Sequence, residues 1–294
     1  MTRGRGRDGP DTATSVRAYY EGNTRLFLAL GIGRRTLSMR RAVWADGVQT
    51  LAQAVDHVNG LIAAEARGRA GSTAGGVLRV LDIGCGVGGS LFFLAGAIGA
   101  PMQGIGVTIS PTQAEIARRQ ARMRGLSSSC GFMTADFSGM TGLTPFHLAF
   151  AIESYVHFRA PDSFFSSAAA SLVPGGRLVI VDDFISREGG SRNERRMVEA
   201  FRHGWLLPSL CPVGRAVRAA AARGLRLIED RDLSGSLAPS PVVARMGGWM
   251  AHTMRAIPVP GQYWRSTAGS LARASCQRAG LVEYRYIVFE KGLP

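Results

Sequence analysis

"VLDIGCGVGGS", Val80 to Ser90, is an apolar run that breaks abruptly into glycines. Val80, Leu81 and Ile83 read as the end of a strand. Gly84, Gly86, Gly88 and Gly89 then let the backbone turn sharply and come close to a ligand at the start of a helix. The spacing fits both GxGxG and GxGxxG, so by itself it points to a nucleotide-like cofactor and no further. The dinucleotide form also asks for an Asp or Glu about 20 residues on, at the end of the next strand. That strand ends "GVTIS", with Thr108 and Ser110 and no acid.

Around this loop the apolar pattern has one rhythm. "VLRVLDIG" (77–84), "PMQGIGVTIS" (101–110), "CGFMTADF" (130–137), "FHLAFAIES" (146–154) and "GRLVIVDDF" (176–184) are short apolar runs separated by helix-like segments. That alternation argues for crossover connections and a parallel sheet covered on both faces. "LRLIEDRDLS" (225–234) and "VEYRYIVFEK" (282–291) add two later strands, and between them lies an aromatic and methionine-rich insertion. The expected fold is therefore α/β: a Rossmann-like, seven-stranded, mostly parallel sheet flanked by helices. Residues 1–14 read as a disordered leader, 15–70 as an N-terminal helical cap segment, and 77–294 as the main domain with a cap insertion at about 235–270.

The chain has 294 residues, 46% of them apolar, enough for a sizeable core. Its formal charge of +14 is almost wholly arginine, since Lys291 is the sole lysine. The arginines are spread along the chain and form no continuous basic stripe, which argues against a nucleic-acid partner. Cys85, Cys130, Cys211 and Cys276 stand far apart without a CxxC pair, against both a zinc site and a disulfide framework. With no apolar run of about 18 residues and no signal-peptide pattern, a cytoplasmic protein without membrane association is expected.

The glycine loop, the acid-free "GVTISPTQ" and the strand end "TADF" together resemble the class I S-adenosylmethionine-dependent methyltransferases. The resemblance covers about residues 77–184 and is nearest to a subset that includes sterol, tocopherol, cyclopropane fatty acid and geranyl diphosphate methyltransferases. It implies S-adenosylmethionine as cofactor, with Gly84, Gly86 and Gly88 at its amino-acid end. Asp82 suits a sulfonium-bearing cofactor better than a phosphate. Asp136 would face the adenine amino group with Phe137 beside it, and Thr108, Ser110 and Gln113 would take over the ribose and adenine contacts. "VRAYYEGNTRLFLALG" and the following "RRAVW" resemble the segment that closes over the cofactor, which makes Tyr20 and Trp44 further contacts. Several relatives carry a His-Gly-Tyr-type sequence where Arg40 and Arg41 stand here.

"FAIESYVHF" (150–158) puts Glu153 at the carboxyl end of the fourth strand, where reacting groups gather in an open parallel sheet. An oxygen or nitrogen nucleophile needs a base such as His157. A methylated alkene instead leaves a carbocation, stabilised by aromatic faces and quenched when a base removes a proton from carbon. "AIES" is similar to the "AIEA" of sterol carbon-methyltransferases and the "NNES" of geranyl diphosphate methyltransferase, whose glutamate is the presumed base. The resemblance thus implies carbon methylation of a small isoprenoid, with a prenyl diphosphate of isopentenyl or geranyl type leading. Glu153 would be the base, with Tyr155 and His157 beside it, and Arg40, Arg41, His203, Trp205 and Trp249 would line the acceptor side. Any Mg²⁺ would arrive with a diphosphate substrate, since no aspartate-rich motif is present. An O- or N-methyltransferase of a secondary metabolite with His157 as base is the alternative; an RNA methyltransferase fits less well. A homo-oligomer is compatible with such a fold.

Overall fold

The computed structural model describes residues 37, 40–70, 76–140, 142–187, 190–237 and 261–293, without the side chains of residues 70 and 261–268. The leader, the segment holding Tyr20, and Trp249 with most of the cap insertion lie outside the described residues.

All seven anticipated strands form: β1 (Leu78–Ile83), β2 (Met102–Thr108), β3 (Cys130–Thr134), β4 (Phe146–Ile152), β5 (Leu172–Ile185), β6 (Leu225–Asp232) and β7 (Val282–Lys291). They make one sheet in the order β3-β2-β1-β4-β5-β7-β6. β1 to β5 run parallel, and β7 runs antiparallel between β5 and β6. Period-two alternation sends each strand's side chains to two cores. Leu81 and Ile83 of β1 and Ile287 and Phe289 of β7 enter one. Val80 of β1 and Tyr284, Tyr286 and Val288 of β7 enter the other.

Helices cover both faces. α1 (Leu51–Ala70), α2 (Gly89–Ala97) and α3 (Pro111–Met123) close one side through Val58, Ile62, Leu91, Leu94 and Ala117. α4 (Pro161–Ala170), α5 (Arg192–Trp205), α6 (Val213–Ala221) and α7 (Gly261–Arg278) close the other through Phe164, Phe165, Phe201, Ala216 and Cys276. Local chemistry starts several of them. Ser110 caps α3 by accepting from the Gln113 backbone N–H at 3.1 Å, with Pro111 at the first helical position. Ser191 and Glu194 form a capping box on α5. Among the described residues no helix is long and apolar enough to cross a membrane.

This topology decides where a ligand can sit. The chain leaves β1 towards β2 on one side and returns to β4 on the other, so a crevice opens beyond the carboxyl ends of β1 and β4. The glycine loop follows β1 and Glu153 follows β4, and they touch: the Ser154 hydroxyl donates to the Ile83 carbonyl at 2.6 Å.

Candidate functional site

In the loop after β1, Gly84, Gly86 and Gly88 all have positive φ, at 82°, 53° and 90°. Gly84 and Gly88 are also sterically obligatory. A Cβ on Gly84 would lie 2.4 Å from the Ser154 Cβ, and one on Gly88 would lie 2.7 Å from the Phe132 ring. A Cβ on Gly86 would meet nothing within 4 Å, so this glycine faces open space. Beneath the loop the buried Asp82 leaves its Oδ2 without a hydrogen-bond partner. Burial raises its pKa to about 7, against the opposing charge of Arg40. An orphaned carboxylate oxygen under an open glycine turn fits a ligand that brings an N–H donor and positive charge.

Arg40 is committed to this side of the crevice. Its Nη1 donates to Asn59 Oδ1 at 2.6 Å and its Nη2 to Ser90 Oγ at 3.0 Å, beside the start of α2. Thr108, Ser110 and Gln113 are all buried and bond to one another. Thr108 Oγ1 donates to Gln113 Oε1 at 2.8 Å, and the Ser110 N–H donates to Thr108 Oγ1 at 3.2 Å. Asp136 is exposed after β3, where its Oδ1 accepts from the Ser138 N–H, while Phe137 is buried against Phe158 and Phe164. Trp44 is half-exposed beside the bridge between Val43 and Leu237.

Across the crevice, Glu153 follows β4 with φ 50°, in the left-handed region. It does not cap the following helix. α4 begins at Pro161 after Ala160, without a side-chain cap. Instead one carboxylate oxygen, Oε1, accepts from the Arg41 N–H at 2.9 Å, Arg41 Nε at 3.3 Å and the Tyr284 hydroxyl at 3.0 Å. Arg41 spends its other two nitrogens on Asp183, at 2.7 and 3.0 Å, in a bidentate pair. Burial opposes ionisation of Glu153, but Arg41, Arg273 and the Tyr284 hydroxyl together hold its pKa below the usual carboxylate value. Burial and the neighbouring Glu153 charge push the Tyr284 phenol well up, so it is the donor of its bond.

This geometry bears on two expectations about the acceptor side. Arg41 presents no unengaged nitrogen to an acceptor: all three are held by Glu153 and Asp183. Tyr155 is fully buried, its ring 5.0 Å from Phe164 and stacked 5.5 Å from Phe184, with its hydroxyl at Cys211 Sγ. It anchors the turn after β4 and offers no face to the crevice.

His157 lies in that same turn. Its Nδ1 is 3.0 Å from the Leu206 carbonyl, which can only accept, so Nδ1 carries the hydrogen and Nε2 is the basic nitrogen. Burial lowers its pKa despite the nearby Glu153 and Asp183 charges, leaving a neutral imidazole. His203 is on the exposed face of α5, 3.6 Å from Glu199, and is not brought to Glu153. Trp205 sits at the seam of α5 and α7, where a Cβ on Gly269 would lie 2.0 Å from its ring.

Sequence reasoning missed Asp183, Tyr284 and Arg273. The strand-end pair "VDD" and the alternation of "VEYRY" carried a signal for the first two, because β5 and β7 pair Asp183 directly with Tyr284.

Residues 80–176 match the methyltransferase domain family. Over 168 residues the chain is 32% identical to a probable chloroplastic tocopherol O-methyltransferase of Oryza sativa subsp. japonica, covering 54% of this chain and 45% of that protein. It is 28% identical over 162 residues to cycloartenol-C-24-methyltransferase 1 of the same plant, covering 53% of this chain and 46% of that protein. The chain thus spans about half the length of these curated relatives. The crystal structure of geranyl diphosphate C-methyltransferase from Streptomyces coelicolor A3(2) superposes with a TM-score of 0.69 at 17% identity, covering 97% of this chain and 100% of that one. At that identity the likeness speaks for the fold alone.

Proposed function

We propose that this chain, whose residues 80–176 match the methyltransferase domain family, is an S-adenosylmethionine-dependent methyltransferase that methylates an alkene carbon of a small isoprenoid acceptor, with Glu153 taking the proton that the acceptor releases. The observation that carries the reading is the clamp on Glu153. Oε1 takes three hydrogen bonds, while Oε2 takes none among the described residues. A carboxylate held ionised is a weak base towards an alcohol. It is base enough for a carbon acid next to a cationic centre, and its charge attracts that centre beforehand.

The residues at the other end fit the cofactor. Asp82 Oδ2 would accept from its ammonium group, the open side of Gly86 would admit its amino-acid end, and the Thr108–Ser110–Gln113 group with Asp136 and Phe137 would border its adenosine. When bound, S-adenosylmethionine supplies an electrophilic methyl group. The protein contributes position: Ser154 ties the glycine loop to the Glu153 turn, so cofactor and acceptor share one frame. Should the acceptor be a diphosphate, Mg²⁺ would come with it.

The test is incubation with S-adenosylmethionine and a panel of isopentenyl, dimethylallyl, geranyl and farnesyl diphosphates and the matching alcohols, with mass detection of methyl gain. A new carbon–methyl bond that disappears in Glu153→Gln supports the reading. Full turnover by that variant overturns it.

A second reading has its own observation. The neutral His157 with its basic Nε2 suits deprotonation of a hydroxyl, and the tocopherol relative is by name an O-methyltransferase. Phenolic acceptors that yield methyl ethers, with turnover lost in His157→Phe and kept in Glu153→Gln, would establish it in place of the first.

A further inference from the structure

Arg273 lies on α7, which packs along α5. Gly269 and Arg273, one turn apart, both meet Trp205: the glycine allows close approach, and the guanidinium carbon sits 5.5 Å from the ring centre. The Arg273 Nε is buried and has no hydrogen-bond partner. Among the described residues this side chain forms no ion pair. A buried guanidinium N–H without an acceptor is costly, and proteins rarely keep one without use.

The surroundings show what is missing. Glu153 and Asp183 are the carboxylates that act on Arg273 through space, yet both are already engaged by Arg41, whose like charge works against Arg273. One further turn along α7, the Gln277 Nε2 is a second buried donor without an acceptor. Two unsatisfied donors four residues apart on one helix, the first of them within electrostatic reach of the Glu153 carboxylate, ask for the same kind of partner. That partner is an anion with several acceptor oxygens.

We propose that Arg273, backed by the Trp205 ring and joined by Gln277, binds an anionic group of the methyl acceptor, a carboxylate or a phosphoryl group. This rests on the reading of the crevice beyond Glu153 as the acceptor site. It also moves anion recognition away from Arg41, which serves Glu153, and from Arg40, which serves the cofactor end.

The experiment is a binding titration that needs no turnover. The S-adenosylhomocysteine complex is titrated with inorganic pyrophosphate, inorganic phosphate and benzoate, with benzamide as the neutral control, by calorimetry and by shift of the melting temperature. In the unaltered protein one anion class binds and benzamide does not; the class that binds tells phosphoryl from carboxylate. Arg273→Met, which keeps the aliphatic stem, weakens that binding at least tenfold, and Arg273→Lys restores part of it. If no anion binds, or if Arg273→Met binds it as the unaltered protein does, the proposal is overturned. Gln277→Leu gives an independent measure, with a smaller loss expected, should the arginine variants fold poorly. Anion binding that depends on Arg273 in a protein that methylates no alkene would sink the carbon-methylation reading and leave this one standing.

Discussion

The guanidinium of Arg41 lies 3.7 Å from the centre of the Tyr284 ring, and the two residues donate to the same oxygen of Glu153. The ring supports the cation from one side while Asp183 holds it in plane, so three side chains from distant parts of the chain fix one carboxylate. Tyr284→Phe keeps the ring and removes one donor. Loss of a hydrogen bond to a charged group lowers turnover about tenfold. It also moves the acid limb of the pH–rate profile to higher pH, because that bond helps keep the Glu153 pKa low. An unmoved acid limb would exclude Glu153 as the titrating group.

Glu153→Gln keeps the shape of the clamp and removes the proposed base. Turnover is expected to fall about 10²–10⁴-fold. The affinity for S-adenosylhomocysteine, measured by calorimetry, stays within about twofold, because none of the glycine-loop or Asp82 contacts is touched.

Arg41→Met leaves Glu153 and Asp183 facing each other without their shared counter-charge. Breaking a largely buried ion pair from one side costs about 3–5 kcal/mol, read as a lower urea midpoint at neutral pH. Because Glu153, no longer held ionised by Arg41, can then shed its charge by taking up a proton, the deficit shrinks as pH falls.

Asp82 gives the stability curve a slope of its own. Its folded pKa of about 7 lies above the ordinary 3.8, so between those values the folded chain holds a proton that the unfolded chain has lost. Stability from this group is full below about pH 4 and declines until about pH 7, by about 4 kcal/mol at most. Asp82→Asn removes that decline. Urea midpoints at pH 5 and pH 7 should converge in the variant relative to the unaltered protein, and parallel curves would rule the effect out.

Gly88→Ala places a Cβ 2.7 Å from the Phe132 ring at a backbone φ of 90°. Strain of this kind costs about 1–3 kcal/mol. A lower melting temperature together with weaker S-adenosylhomocysteine binding is expected, since relief of the contact must shift the loop itself.

What the sequence made legible was what local pattern dictates. Seven strands follow from period-two alternation and apolar runs, and the loop of Gly84 to Gly88 follows from the conformations only glycine tolerates. Glu153 is found by its place at a strand end. What pattern cannot supply is pairing across the fold. Arg41 reads as a basic residue near a pocket, and only the docking of its segment against β5 and β7 shows it bound to Glu153 and Asp183. "AIESYVH" puts Tyr155 next to Glu153, yet the turn sends one side chain to the crevice and the other into the aromatic core. Thr108, Ser110 and Gln113 read as ligand contacts by resemblance. Their bonds to one another are a helix cap that also shapes the wall.

The antiparallel β7 has one further consequence, for the order in which the protein becomes competent during synthesis. The glycine loop and its neighbouring strands emerge from the ribosome before β7 and pair with partners close in the chain. The Glu153 clamp waits for Tyr284, 131 residues further along the chain. A nascent chain can therefore form the proposed cofactor cradle well before the proposed base is set, so on that reading competence to bind comes ahead of competence to react.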